Sequence, residues 1–187
     1  MSIAATEIPG YVVGRWVIDP IHSNVSFTVR HMMVSKVRGR FARFSGTIVT
    51  AEDWQESSVV AEIDMASVDT GVVDRDNDLR SASYFDVQTY PTMTYRSSGG
   101  VRRGDSDFVV EGDLSLHGVT RSVPLRLEFN GVTSDTKGGT LAGFSATAEI
   151  NRRDFGIDLL LPLDGGGVVV AEKVKIALEI EAGLQAG

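Results

Sequence analysis

From His22 to Val34 the chain reads HSNVSFTVRHMMV, in which Val25, Phe27, Val29 and Met33 alternate with Asn24, Ser26, Thr28 and Arg30. Successive strand side chains point to opposite faces, so this stretch reads as one long strand with an apolar side, and His31 stands on that side. The period of two recurs along most of the chain. GRWVIDP precedes the first long strand as a short one, stopped by Asp19 and Pro20. RGRFARFSGTIVTAED pairs with the long strand as a hairpin across Ser35 to Val37. Phe41 and Phe44 fall on opposite faces of a strict alternation, which predicts a bulge near Gly46. In VVAEIDMASV the apolar set is Val59, Ala61, Ile63 and Met65. Beyond Pro91 come MTYRSS, DFVVEGDLSL, RSVPLRLEF, LAGFSATAEI and VVVAEKVKIALEI, with HGVT and GVTSDTKGG as turns. Pro124 cannot donate a ladder hydrogen bond and marks a bulge or an edge. One segment breaks the pattern. TGVVDRDNDLRSASYF predicts a short polar helix over Val72 to Ser81, with Thr70 to cap it, acids in its first turns and Arg80 near its end.

Eight or nine strands, one helix and no alternation of strand with helix predict an all-β protein. Long strands joined mostly by hairpins favour an eight-stranded antiparallel up-and-down barrel, with a β-sandwich as the alternative. A chain of 187 residues suits one barrel domain over 1–187, residues 1–14 forming a lead. A barrel of eight strands is either just filled by its side chains or holds one small ligand, so the size of inward residues decides. Along LAGFSATAEINR the inward set is Ala142, Phe144, Ala146, Ala148, Ile150 and Arg152, and its alanines leave space. The last strand places Val170, Val174, Ile176, Leu178 and Ile180 in one phase with Glu172 among them, as His31 stands in the first. Both polar residues are read in two ways: as interior groups with polar partners, or as contacts for the polar part of a bound amphiphile.

Composition narrows the chemistry. The net charge is −7, which opposes a phosphate backbone as partner, although Lys36 to Arg43 is locally basic. With no cysteine, disulfides, thiolate metal sites and a cysteine nucleophile are all excluded. His22, His31 and His117 stand far apart in sequence with no paired-ligand spacing, so no metal site is expected. Asp74, Asp76 and Asp78 imitate the start of a calcium loop, but Leu79 stands where glycine is needed and Phe85 where glutamate is needed. Asp19, His22 and Ser23 carry the residue types of a hydrolytic triad, yet neighbours entering a strand diverge and no nucleophile elbow surrounds the serine. The triple glycine at Gly165 to Gly167 lacks the following Lys-Ser or Lys-Thr of a phosphate cradle. The reading is of a protein that is not an enzyme and needs no cofactor. The first residues, MSIAATEIPGYVVGRW, have neither a basic n-region nor an apolar h-region, so a cytoplasmic location is expected.

Five stretches carry a family likeness over nearly the whole chain: WVIDPIHSNVSFTVRHMMVSKVRGRF, SGTI, IDMASVDTGVVDRDNDLRSASYFDVQTYPTM, EGDLSLHGVTRSVPL and INRRDFGI. In their order and spacing the sequence resembles the YceI-like family of lipocalin-like polyisoprenoid-binding proteins. The resemblance implies an eight-stranded barrel whose interior takes an extended polyprenyl or fatty-acid-like tail. It also implies that Asp19, His22, Ser23, Phe27 and His31 belong to a first signature, and Asn151, Arg152, Phe155 and Gly156 to a last one. Many members carry a secretion signal and work in the periplasm, a feature this chain's first residues do not show. The expected ligand contacts are Phe27, Val29, His31, Met33, Phe41, Phe44, Ala142, Phe144, Ala146 and Arg152. The expected partner is a polyisoprenoid or other long-chain amphiphile and no nucleic acid, with transient membrane-surface contact and a homodimer both compatible. A structural or stress-response barrel without a dedicated ligand is the alternative.

Overall fold

The computed structural model describes residues 8–158 and 170–187. Its strands are β1 (Gly14–Ile18), β2 (Asn24–His31), β3 (Ser35–Phe41), β4 (Phe44–Thr50), β5 (Ser58–Asp64), β6 (Val68–Asp69), β7 (Thr92–Arg102), β8 (Asp107–Leu116), β9 (Val119–Ser122), β10 (Leu125–Ser134), β11 (Thr140–Asn151) and β12 (Val170–Leu184). One helix, α1 (Val73–Arg80), lies between β6 and β7. β1 and β2 pair end to end with the same edge of β12, and β4 and β3 continue that arrangement on their far side. β9 and β10 likewise follow one another along β8, separated by Val123 and Pro124, which is where the proline interrupts the ladder. Counted by staves, the result is a closed antiparallel barrel of eight strands in sequence order, β12 returning to the first.

The joints in the staves have local causes. Between β1 and β2 Pro20 has no N–H to give, and the ladder is bridged by one backbone bond and one side chain: Asp19 N donates to the Glu181 carbonyl at 2.8 Å, and Glu181 N donates to Ser23 Oγ at 3.0 Å. Between β3 and β4 the break falls at Ala42–Arg43, earlier than the bulge expected near Gly46, and it turns both Phe41 and Phe44 inward. After β11 a 3-10 turn over Arg152–Phe155 begins where Asn151 Oδ1 accepts from Arg153 N, and it stops at Gly156, whose φ of 71° is left-handed.

Three further expectations are corrected. The first long strand ends at His31, not Val34; Met32 and Met33 adopt left-handed backbone (φ 49° and 62°) in the turn to β3, so the hairpin closes at 32–34 rather than across Ser35 to Val37. Thr70 does not cap α1, whose N-cap is Val72; instead the buried Asp76 carboxylate accepts from Thr70 N and Oγ1 at 2.8 and 2.6 Å, and Arg75 donates to the same residue. Finally, a register shift between Val170 and Val174 turns Glu172 out of the inward phase, where Arg153 Nη1 meets its carboxylate at 3.0 Å. The glycines Gly165 to Gly167 lie outside the described residues.

Candidate functional site

Two cavities lie end to end in the barrel, sharing Val25, Met93 and Ile176 as a waist. The first, of about 230 Å³, is walled by β11 residues Ala142, Phe144 and Ala146 and by Trp16, Phe44, Ile48, Leu127 and Phe129 around them. In the ladder Ala146 stands between Leu127 and Leu178, so the small residue is flanked by large ones and the space opens over it. The second cavity, of about 360 Å³, is walled by Phe27, Val29, His31, Val37 and Phe41. Leu79 of α1 and Tyr84 and Phe85 beyond it close over this cavity. Its wall runs from the buried Phe41 to the exposed Arg30 and Asp78, so this end of the barrel meets water.

Glycine shapes both interiors. A side chain at Gly39 would collide with the Phe27 ring that lies across it, and Tyr95 lies over Gly112 in the same way. The Tyr95 hydroxyl donates to the Val123 carbonyl at 2.9 Å, and burial pushes its pKa well above the usual phenol value, so the group in the first cavity's wall is neutral.

The expected contact residues divide between the two chambers. Phe44, Ala142, Phe144 and Ala146 face the first; Phe27, Val29, His31, Phe41 and Arg152 face the second. Met33 faces neither: it sits in the hairpin turn and is 58% exposed, because the strand ends two residues before it. His31 is the last residue of β2, at the water-facing end of the second cavity. Arg152 is 5% exposed, and its guanidinium donates to the carbonyls of Ile157, Val170 and Ala171 at 2.7, 2.9 and 3.1 Å. Its hydrogen bonds tie the residues after β11 to the start of β12, so it supports the wall more than it faces the space. Trp54, from AEDWQE, and the residues closing the second cavity from the α1 side escaped sequence reasoning, since neither segment has strand periodicity. The Trp54 indole N–H is buried without a hydrogen-bond partner among the described residues.

The first-signature residues lie elsewhere. His22 Nδ1 is 2.7 Å from Asp19 Oδ2 and 3.7 Å from Glu181 Oε1, outside both cavities. The hydrogen bond to Asp19 raises the His22 pKa, and the same bond lowers that of Asp19. These three residues bring ligand-type atoms within 4.8 Å of one another, but they close the joint between β1 and β2, which accounts for their position. His117 is likewise structural: its Nδ1–H donates to the Phe155 carbonyl at 2.9 Å, and its ring packs on Tyr90 at 4.7 Å.

A YceI-like domain model matches residues 16–182. A UPF0312 protein of Vibrio cholerae is 36% identical over 148 residues, 78% of each chain. One of Staphylococcus epidermidis is 33% identical over 165 residues, 87% of this chain and 94% of the relative. Among solved structures, a YceI protein of Campylobacter jejuni has a TM-score of 0.71 at 26% identity, covering 84% of this chain and 90% of the other. A polyisoprenoid binding domain from Saccharophagus degradans, implicated in plant cell wall breakdown, shares the fold with a TM-score of 0.69 at 20% identity over 93% of this chain and all of the other. With the family model covering most of the barrel and of the residues that line both cavities, this chain belongs to the YceI-like family.

Proposed function

We propose that this protein binds a linear amphiphilic lipid, a polyisoprenoid or fatty-acid-like chain, along the barrel axis, and carries or sequesters it without changing it. The observation that carries the reading is the pair of apolar chambers joined at one waist. Two chambers in line suit an extended tail better than a compact ring system. Strands of about ten residues rise roughly 3.3 Å per residue, so a tilted barrel has the depth for several isoprene units. Each buried methylene contributes about 0.8 kcal/mol, and a 20-carbon tail about 16 kcal/mol gross, much of it offset by association and chain ordering. That leaves room for micromolar or tighter affinity without covalent chemistry. The polyisoprenoid-binding domain of Saccharophagus degradans, which shares the fold, supports the same ligand class. On this reading the tail contacts Phe27, Val29, Phe41, Phe44, Ala142, Phe144 and Ala146, and His31 meets the polar end. Titration with a fluorescent polyprenyl probe tests it: saturable binding displaced by unlabelled polyprenol or long-chain fatty acid is expected, whereas probe fluorescence that no long-chain competitor displaces refutes it.

A further inference from the structure

Among the described residues, eleven large apolar side chains are exposed, and five of them flank the water-facing end of the second cavity. Met32, Met33 and Val34, 43%, 58% and 86% exposed, follow His31 of the cavity wall directly. Val72 and Val73, 47% and 73% exposed, are the N-cap and first residue of α1, whose Arg75, Asp78 and Leu79 line the same cavity. The hairpin tip also defies local preference. Left-handed backbone favours Gly, Asn or Asp, yet two successive methionines hold it, which costs stability and places two bulky apolar side chains in water. Nothing in the fold requires methionine there.

Behind this tip the outer wall is basic. Arg30 stands directly opposite Lys36 across the β2–β3 ladder, a like-charge pairing that sheets avoid. Arg38 lies opposite Thr28, and Thr28 opposite Lys175 of β12, so the four cations share one exposed face. None of them makes an ion pair among the described residues; Lys175 stands opposite Glu149 of β11, but that carboxylate pairs with Lys173 at 3.4 Å. Arg40, farther along β3, is neutralised by Asp69 at 3.2 Å, and Asp78 of α1 is an exposed acid in the cavity lining. A chain of net charge −7 has thus gathered unpaired cations beside its apolar tip and its cavity opening.

We propose that this end of the barrel docks on an anionic lipid bilayer, with Met32, Met33 and Val34 entering the interface and Arg30, Lys36, Arg38 and Lys175 facing the head groups. Apolar side chains backed by cations are what peripheral binding to an anionic leaflet needs. The geometry would bring the opening beside His31 to the membrane, the source or destination of a tail held in the barrel; this purpose rests on the lipid-binding reading, but the docking does not.

Vesicle co-sedimentation tests the proposal, with phosphatidylcholine alone and with phosphatidylcholine containing phosphatidylglycerol, at low and physiological salt. Binding is expected to the anionic vesicles and to weaken with salt. Met32→Asn with Met33→Asn suits the left-handed backbone, so the fold is kept or stabilised, and vesicle affinity is expected to fall about tenfold per side chain. Lys36→Gln with Arg38→Gln is expected to cost about fivefold per residue. Polyprenyl-probe affinity in vesicle-free buffer is expected to stay unchanged in both variants, which separates this proposal from the cavity reading. The proposal is overturned if the parent fails to sediment with anionic vesicles, if neutral vesicles capture it equally, or if either folded variant sediments like the parent. A dimer in sedimentation velocity that the methionine variant abolishes, without vesicle binding, would overturn it in favour of a second copy of the chain.

Discussion

Ala146→Trp is the perturbation that probes the tail's path most sharply. Ala146 is 5% exposed and looks into the first cavity from β11, between Leu127 and Leu178, which line the same space. An indole there would occupy much of a 230 Å³ chamber. Overpacking a filled core costs about 1–3 kcal/mol, and the open space above Ala146 puts this substitution at the low end. At about 2–4 °C per kcal/mol for a chain of this size, the melting temperature should fall by only a few degrees. The ligand suffers far more. Excluding even about four methylenes from the chamber forfeits about 3 kcal/mol, a rise of more than a hundredfold in Kd. The assay is titration of a fluorescent polyprenyl or fatty-acid probe, with thermal unfolding in parallel to show that the barrel persists. If the variant melts within a few degrees of the parent and binds the probe with the parent's affinity, the tail does not pass Ala146 and the assignment of the first chamber is wrong.

His31→Leu replaces the polar group at the end of β2, and it should weaken binding of an amphiphile with a polar head while sparing a pure hydrocarbon of equal length; equal retention of both in competition titrations would leave His31 with no part in ligand selection. Arg152→Leu strands three backbone carbonyls, and at about 1–3 kcal/mol for each buried unsatisfied group the melting temperature should drop by roughly 10 °C or more. Loss of probe binding with unchanged melting would instead make Arg152 a ligand contact. The Asp19–His22 pair predicts a pH window. The lowered Asp19 pKa contributes stability that is present above 3.8 and lost as pH falls through the lowered value, and the raised His22 pKa contributes stability that is complete below 6.5 and lost as pH rises through the raised value. The joint should therefore be tightest between those limits, and an NMR titration should find the His22 pKa above 6.5 in the parent and lower than the parent's in Asp19→Asn, where only Glu181 still raises it.

The β11 wall is legible in the sequence because its inward residues obey one uninterrupted alternation, and Ala142, Phe144 and Ala146 face the barrel interior as that alternation requires. The short polar helix was legible too, from its acids and the loss of strand periodicity. Errors cluster where the backbone breaks the count. Met33 has nothing in its residue type to announce left-handed backbone, which is ordinarily the sign of Gly or Asn, and extending the alternation by two residues put an exposed turn residue inside the barrel. Glu172 left the inward phase through a register shift that no proline or glycine at the site marks. Phe41 and Phe44 raised the correct suspicion of an irregularity, but its position depends on where β3 leaves β2 and β4 joins β1, a tertiary matter. The waist of Val25, Met93 and Ile176 joins residues far apart in the chain, so no periodicity of any one strand reveals that the interior is divided.

The central claim is that the barrel holds a long apolar chain. Native mass spectrometry of the protein purified without detergent tests it most directly. The account predicts a non-covalent adduct of lipid mass that is lost on organic extraction, reforms with added polyprenol or long-chain fatty acid, and is depleted in Ala146→Trp. A bare polypeptide mass that stays bare when these chains are supplied would contradict it.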